Sequence, residues 1–102
     1  MTARRKARED VTNGRALAAF NRAERAARML YAKEVADAWR RIAKDPDASD
    51  HAARWRAERS RAGVANEDVV RAVREARDRK NSTIAAAHAA YMKSMEEFYG
   101  GH

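Results

Sequence analysis

From Arg15 to Lys44 apolar residues return every three or four positions: Leu17, Phe20, Ala23, Ala27, Leu30, Tyr31, Val35, Ala38, Trp39 and Ile42. That spacing is the period of an α-helix with one buried face. No Gly or Pro interrupts it, and Arg22, Arg25, Arg28, Lys33, Arg40 and Arg41 occupy the other faces. Asp45-Pro46-Asp47 predicts the stop, because proline disfavours helix in the residue before it. Ser49 or Asp50 then caps a second helix, expected over roughly 50–62, with Gly63 as its terminator. This helix is polar: Arg54, Arg56, Arg59 and Arg61 surround Trp55. Asn66 caps a third helix, where Glu67 and Asp68 complement the dipole of the first turn. Val69, Val70, Val73 and Ala76 form its buried face, and Ile84, Ala87, His88, Tyr91, Met95 and Phe98 line a last helical stretch up to Gly100-Gly101. The polar run Asp78–Thr83 leaves two readings open. Helices over 66–80 and 82–99 are separated by a break recapped by Asn81 or Ser82, or one helix continues; the absence of Gly and Pro favours continuity.

These elements predict an all-α protein, a small bundle of three to four helices. It has one long N-terminal helix and a long C-terminal helix, with dimerisation as one way of completing it. Residues 1–12 read as a basic arm, a frayed helix or a disordered tail carrying Arg4, Arg5, Lys6 and Arg8. Thr12-Asn13-Gly14 reads as a turn with a capping residue, so residues 13–102 form the single helical domain. No internal repeat is visible.

Composition narrows the picture. Of the 102 residues 45% are hydrophobic, but 25 residues are Ala, and Leu, Ile, Val and Phe together number 12. So few large apolar side chains predict a thin core, closed by close helix packing through Ala, by oligomerisation or by a partner. There is no cysteine, which removes disulfides and thiolate metal sites and fits a reducing cytoplasm. The charged N-terminus does not read as a signal peptide, and no stretch approaches the roughly 20 apolar residues of a membrane span.

The net charge is +7 at pH 7. It is uneven: residues 1–28 carry +5, residues 51–63 carry +3 and residues 81–102 carry −1. An excess of this kind asks for an acidic partner, a nucleic acid with DNA foremost or an acidic protein. Arg4, Arg5, Lys6 and Arg8 of the arm, with Arg54, Arg56, Arg59 and Arg61, are the candidate phosphate contacts. The alternative for each is a solvated face of i,i+4 pairs such as Glu24–Arg28. Trp39 reads as core and Trp55 as a partner anchor or cation–π partner, both partly buried. The near-neutral C-terminal stripe of Ile84, Ala87, Tyr91, Met95 and Phe98 reads as core or as the seam of a homo-oligomer.

Ala62-Gly63-Val64, followed by the helix from Asn66, resembles the turn and second helix of a helix-turn-helix DNA-binding unit. That resemblance implies that Asn66, Arg71 and Arg74 face the groove. The pattern departs where the first helix usually places a small residue four positions before the glycine and an apolar one before that; here stand Arg59 and Glu58. Two ordinary helices joined by a glycine turn, which any bundle may contain, are the favoured reading of these residues.

No catalytic constellation appears. His51, His88 and His102 are far apart, no Glu stands three positions before a His, and no phosphate-binding Gly loop exists. No catalytic residue, metal ligand or cofactor is expected. The expected function is non-catalytic binding of nucleic acid through the N-terminal half, in an accessory, regulatory or packaging role in a bacterium, phage or plasmid. The alternative is an adaptor or inhibitor that docks an Arg-rich face on an acidic protein. No membrane partner is expected.

Overall fold

The computed structural model describes residues 3–60 and 67–99, with side chains from residue 14 onward. Three helices follow in order: α1 (Ala3–Ile42), α2 (Asp50–Arg59) and α3 (Glu67–Tyr99). There is no strand among the described residues, so the all-α helical bundle expected from the periodicity is the fold. α1 and α3 run side by side over most of their lengths, and α2 packs against one end of the pair. The molecule is a rod of 62 × 22 × 17 Å with a radius of gyration of 19.5 Å. A compact chain of this length would have about 13 Å.

α1 begins at Ala3 and passes through Thr12-Asn13-Gly14 without a turn. The expected punctuation at Asn13-Gly14 is therefore absent, and the backbone of the N-terminal arm is helical. A Cβ added at Gly14 would meet nothing within 4 Å, so this glycine serves no close approach. Glycine inside a helix costs about 1 kcal/mol relative to Ala, which the continuous ladder on either side outweighs. The C-terminal stop falls where Asp45-Pro46 places it. Lys44 takes the left-handed conformation (φ 56°), and the Asp45 amide donates to the Arg40 carbonyl at 3.0 Å. This is a Schellman-type end, which satisfies carbonyls of the last turn. Arg40 also bonds the Ala48 carbonyl at 3.2 Å and Asp50 Oδ1 at 2.7 Å, tying the connection to the start of α2. Ser49 caps α2 by accepting from the Ala52 amide at 3.1 Å.

α3 is one helix across the polar run, so the continuous reading holds. Asn81, Ser82 and Thr83 are all exposed, which is how a polar stretch sits inside a long helix without breaking it. The closed core lies where all three helices meet. Tyr31 and Val35 of α1, Ala57 of α2, and Val69, Val73 and Ala76 of α3 form it, with Trp39 and Ile42 packed alongside. Among the described residues only Val35, Val69 and Val73 are large side chains buried completely, so the thin core expected from composition is present. Ala53 and Ala57, fully buried, let α2 approach closely. The Trp39 indole nitrogen is buried without an acceptor among the described residues.

Away from α2, the rod is a two-helix seam. Phe20 meets Tyr91 at 6.0 Å and His88 edge-on at 5.9 Å between ring centroids. Ile84, Ala87, Tyr91, Met95 and Phe98 are all half-buried along α3. The C-terminal stripe is thus first of all the inner edge of the α1–α3 pair.

Candidate nucleic-acid interface

The expected phosphate contacts divide into those outside the described residues, those already engaged, and Arg74, which is exposed without an acidic partner among the described residues. The side chains of Arg4, Arg5, Lys6 and Arg8 lie outside them, as do Arg61 and Asn66 and the glycine turn of the helix-turn-helix resemblance. The α2 arginines are occupied. Arg54 Nε bonds Glu58 Oε1 at 2.8 Å, and its guanidinium lies 5.8 Å from the centre of the Tyr31 ring. Arg56 bonds Asp45 at 3.1 Å. Arg59 stacks on the exposed Trp55 ring at 4.4 Å, the cation–π contact foreseen for this tryptophan. On α3, Arg71 lies 3.8 Å from Asp68, and Arg74 is exposed. Glu58 and Arg59, at the positions where a helix-turn-helix makes its helix contact, are committed to Arg54 and Trp55. The buried small residues of this helix are Ala53, Ala57 and, one position later than the motif requires, Ser60.

Arg74 and Arg77 of α3 have no acidic partner among the described residues, and α1 carries a longer row of such cations. Between residues 14 and 42 this helix has three carboxylates, and each is taken: Glu24 by Arg28, Glu34 by Arg79 of α3, and Asp37 by Arg40. Five cations of the same stretch, Arg15, Arg22, Arg25, Lys33 and Arg41, have no acidic partner among the described residues, and all five are exposed. Arg15, Arg22, Arg25 and Lys33 are seven, three and eight positions apart, so they share one side of the helix. Ala27, Tyr31 and Ala38, all buried, mark the opposite side that meets α3. The row from Arg15 to Lys33 is about 27 Å long at helical rise; Arg41 stands at its margin.

The reason for this segregation is local. Arg15, Arg22 and Arg25 have no acidic residue three or four positions away in either direction, so no intrahelical pair can form. Lys33 has Asp37 four positions on, but Arg40 holds that carboxylate. Sequence reasoning placed Arg22, Arg25 and Lys33 on the outer faces without singling them out; the missing acidic neighbours were the signal.

Two guanidinium groups are pushed further upward from an already strongly basic value. The side-chain hydrogen bond that Arg40 donates to Asp37, then the one it donates to Asp50, does this for Arg40, and the bond donated to Glu34 does it for Arg79. A raised basic group contributes stability below its unfolded-state value, lost only as pH rises through the folded one. Both groups therefore stay charged at any pH where nucleic acid is studied.

Beside the row, α1 and α2 border a groove with a cavity of about 630 Å³, lined among others by Met29, Leu30, Lys33, His51 and Arg54. Met29 is 67% exposed, the most of the exposed large apolar side chains among the described residues. No group of three or more His, Asp or Glu side chains among the described residues could hold a metal ion. No described helix is long and apolar enough to cross a membrane.

Comparison of the chain with protein-family models, curated proteins and solved structures finds no match.

Proposed function

We propose that this is a non-catalytic helical protein that binds nucleic acid, duplex DNA foremost, through the outward side of α1, in an accessory, regulatory or packaging role. The observation that supports this reading is the row of Arg15, Arg22, Arg25 and Lys33, exposed and unpaired while every carboxylate of the same stretch is engaged. Each phosphate that such a cation neutralises releases a condensed counterion, and that release supplies affinity without base reading. The α2 arginines are secondary, since each would have to exchange a carboxylate or ring for a phosphate. Surface pairs are worth about 0–1 kcal/mol, so that exchange is cheap but adds less net charge.

The test is binding to a random-sequence duplex across a salt series. Four contacts predict a slope of log K against log salt of about −3 to −4, or about a hundredfold loss of affinity from 50 to 200 mM. Substituting Arg15, Arg22, Arg25 and Lys33 together by Gln is expected to flatten that slope while leaving the thermal midpoint nearly unchanged. Affinity indifferent to salt, or no binding at 50 mM, would remove the reading. The groove around Met29 supports a second one, in which an acidic amphipathic helix of a partner protein lays its apolar face on Met29 and Leu30 between Lys33 and Arg54. In that case the duplex would not bind, and Met29→Glu would abolish capture of the partner.

A further inference from the structure

α2 is ten residues long and covers only one end of the α1–α3 pair. The side of the pair on which it lies is left open for the remaining length. Leu17 stands 18 residues before Val35, five full turns at 3.6 residues per turn, and so shares the side of α1 that Val35 turns toward α2. It is 46% exposed. On α3, Met92 and Tyr99 are 51% and 48% exposed, and with the half-buried Ile84 and Met95 they flank the Tyr91 seam on that same side. Leu17, Ile84, Met92, Met95 and Tyr99 thus form an apolar row at the open end of that side; between it and α2 the mutually paired Glu24 and Arg28 follow on the same line of α1.

The surface of the whole molecule is consistent with an uncovered face. The chain exposes 7622 Å², whereas a compact monomer of 11.5 kDa exposes about 5,800 Å² by size scaling. The excess is about twice the roughly 800 Å² that each partner gives to an interface of standard size.

We propose that a second copy of this chain covers the row, as an antiparallel two-fold dimer in which the two α1–α3 pairs stack face to face as a four-helix bundle. α2 dictates the direction. It occupies the same face, so a parallel stack would drive the two α2 helices into each other, whereas an antiparallel stack places one at each outer end. Met92 stands midway between Ile84 and Tyr99 on α3 and level with Leu17 on α1. It therefore meets its own counterpart at the two-fold axis, and Ile84 of one copy lies over Tyr99 of the other. α1 then stacks on α1, and both basic rows come to one edge of the dimer. The interface itself does not depend on the nucleic-acid reading; only this consequence does.

The experiment uses the full chain without nucleic acid, because charge-row and face variants then fail independently. Sedimentation from about 1 to 200 µM, a range set for an interface of ordinary size, is expected to show a species of twice the monomer mass. Leu17→Glu with Met92→Glu is expected to return it to monomer with its helical circular dichroism intact. Leu30→Glu, on the opposite side of α1, and the Gln-substituted basic row are expected to leave the dimer whole. The chain lacks cysteine, so Met92→Cys provides a second measurement: it should cross-link to itself under mild oxidation, and Leu30→Cys should not. Monomer throughout the range for the unmodified chain, or cross-linking at Leu30→Cys and not at Met92→Cys, would overturn the proposal.

Discussion

The two ends of this rod are built from the same residue types and behave differently. Near α2, three helices enclose Tyr31, Val35, Val69 and Val73, and the last three are fully buried. Tyr31 is closed in further by Lys80, 4.5 Å from its ring centre, and by Arg54. Toward Phe20 and Tyr91 only two helices meet, and no side chain from Ile84 onward on α3 is fully buried. The difference is one short helix. It shows that a thin, Ala-rich composition suffices for a core where a third element closes it, and for no more than a seam where none does. Stability is concentrated at one end, and the free surface at the other.

The largest expected effect comes from attacking the closed end. Val73→Ala removes two buried methyl groups and is expected to lower the unfolding free energy by about 1.5–3 kcal/mol, read as a fall in the urea midpoint with the slope unchanged. A loss as small as that of an exposed residue would mean that the three-helix core is not where the fold is held. The same change in the seam should matter less and act locally. Tyr91→Ala is expected to cost about 1–2 kcal/mol and to speed hydrogen exchange over residues 15–25 and 85–99. Amides around Val35 and Val73 should keep exchanging through global unfolding. Uniform acceleration along the whole rod would erase the distinction between the ends. The smallest effect sharpens it in the other direction: Gly14→Ala, in open space on α1, should stabilise by about 0.5–1 kcal/mol, visible as a raised thermal midpoint. Destabilisation there would show that position 14 is not inside a helix.

The helices near α2 were legible because each carries its own punctuation. Asp45-Pro46 stopped α1, Ser49 capped α2, and Val69, Val73 and Ala76 marked the buried side of α3. Asn13-Gly14 misled because turn preference is a local quantity of about 1 kcal/mol, and an uninterrupted ladder on both sides exceeds it. The charge pattern was harder. Arg56 finds Asp45 and Arg79 finds Glu34 only once the chain has folded back, so no spacing rule distinguishes an engaged arginine from a free one. α2 thus looked like the cationic face, whereas its described arginines are engaged and the longest row of unpaired cations stands on α1. The C-terminal stripe was read correctly as apolar, but sequence alone leaves open whether it meets α1 or another molecule.

The helical backbone of the N-terminal segment also bears on how any ligand would be held. A flexible basic tail surrenders about 1–2 kcal/mol of backbone freedom for each residue it fixes on a ligand. α1 is helical from Ala3 onward, so binding along it would freeze side-chain rotamers alone. The complex should then form with little gain of helical signal and a small change in heat capacity, the signature of a pre-shaped rod rather than of a tail that folds on contact.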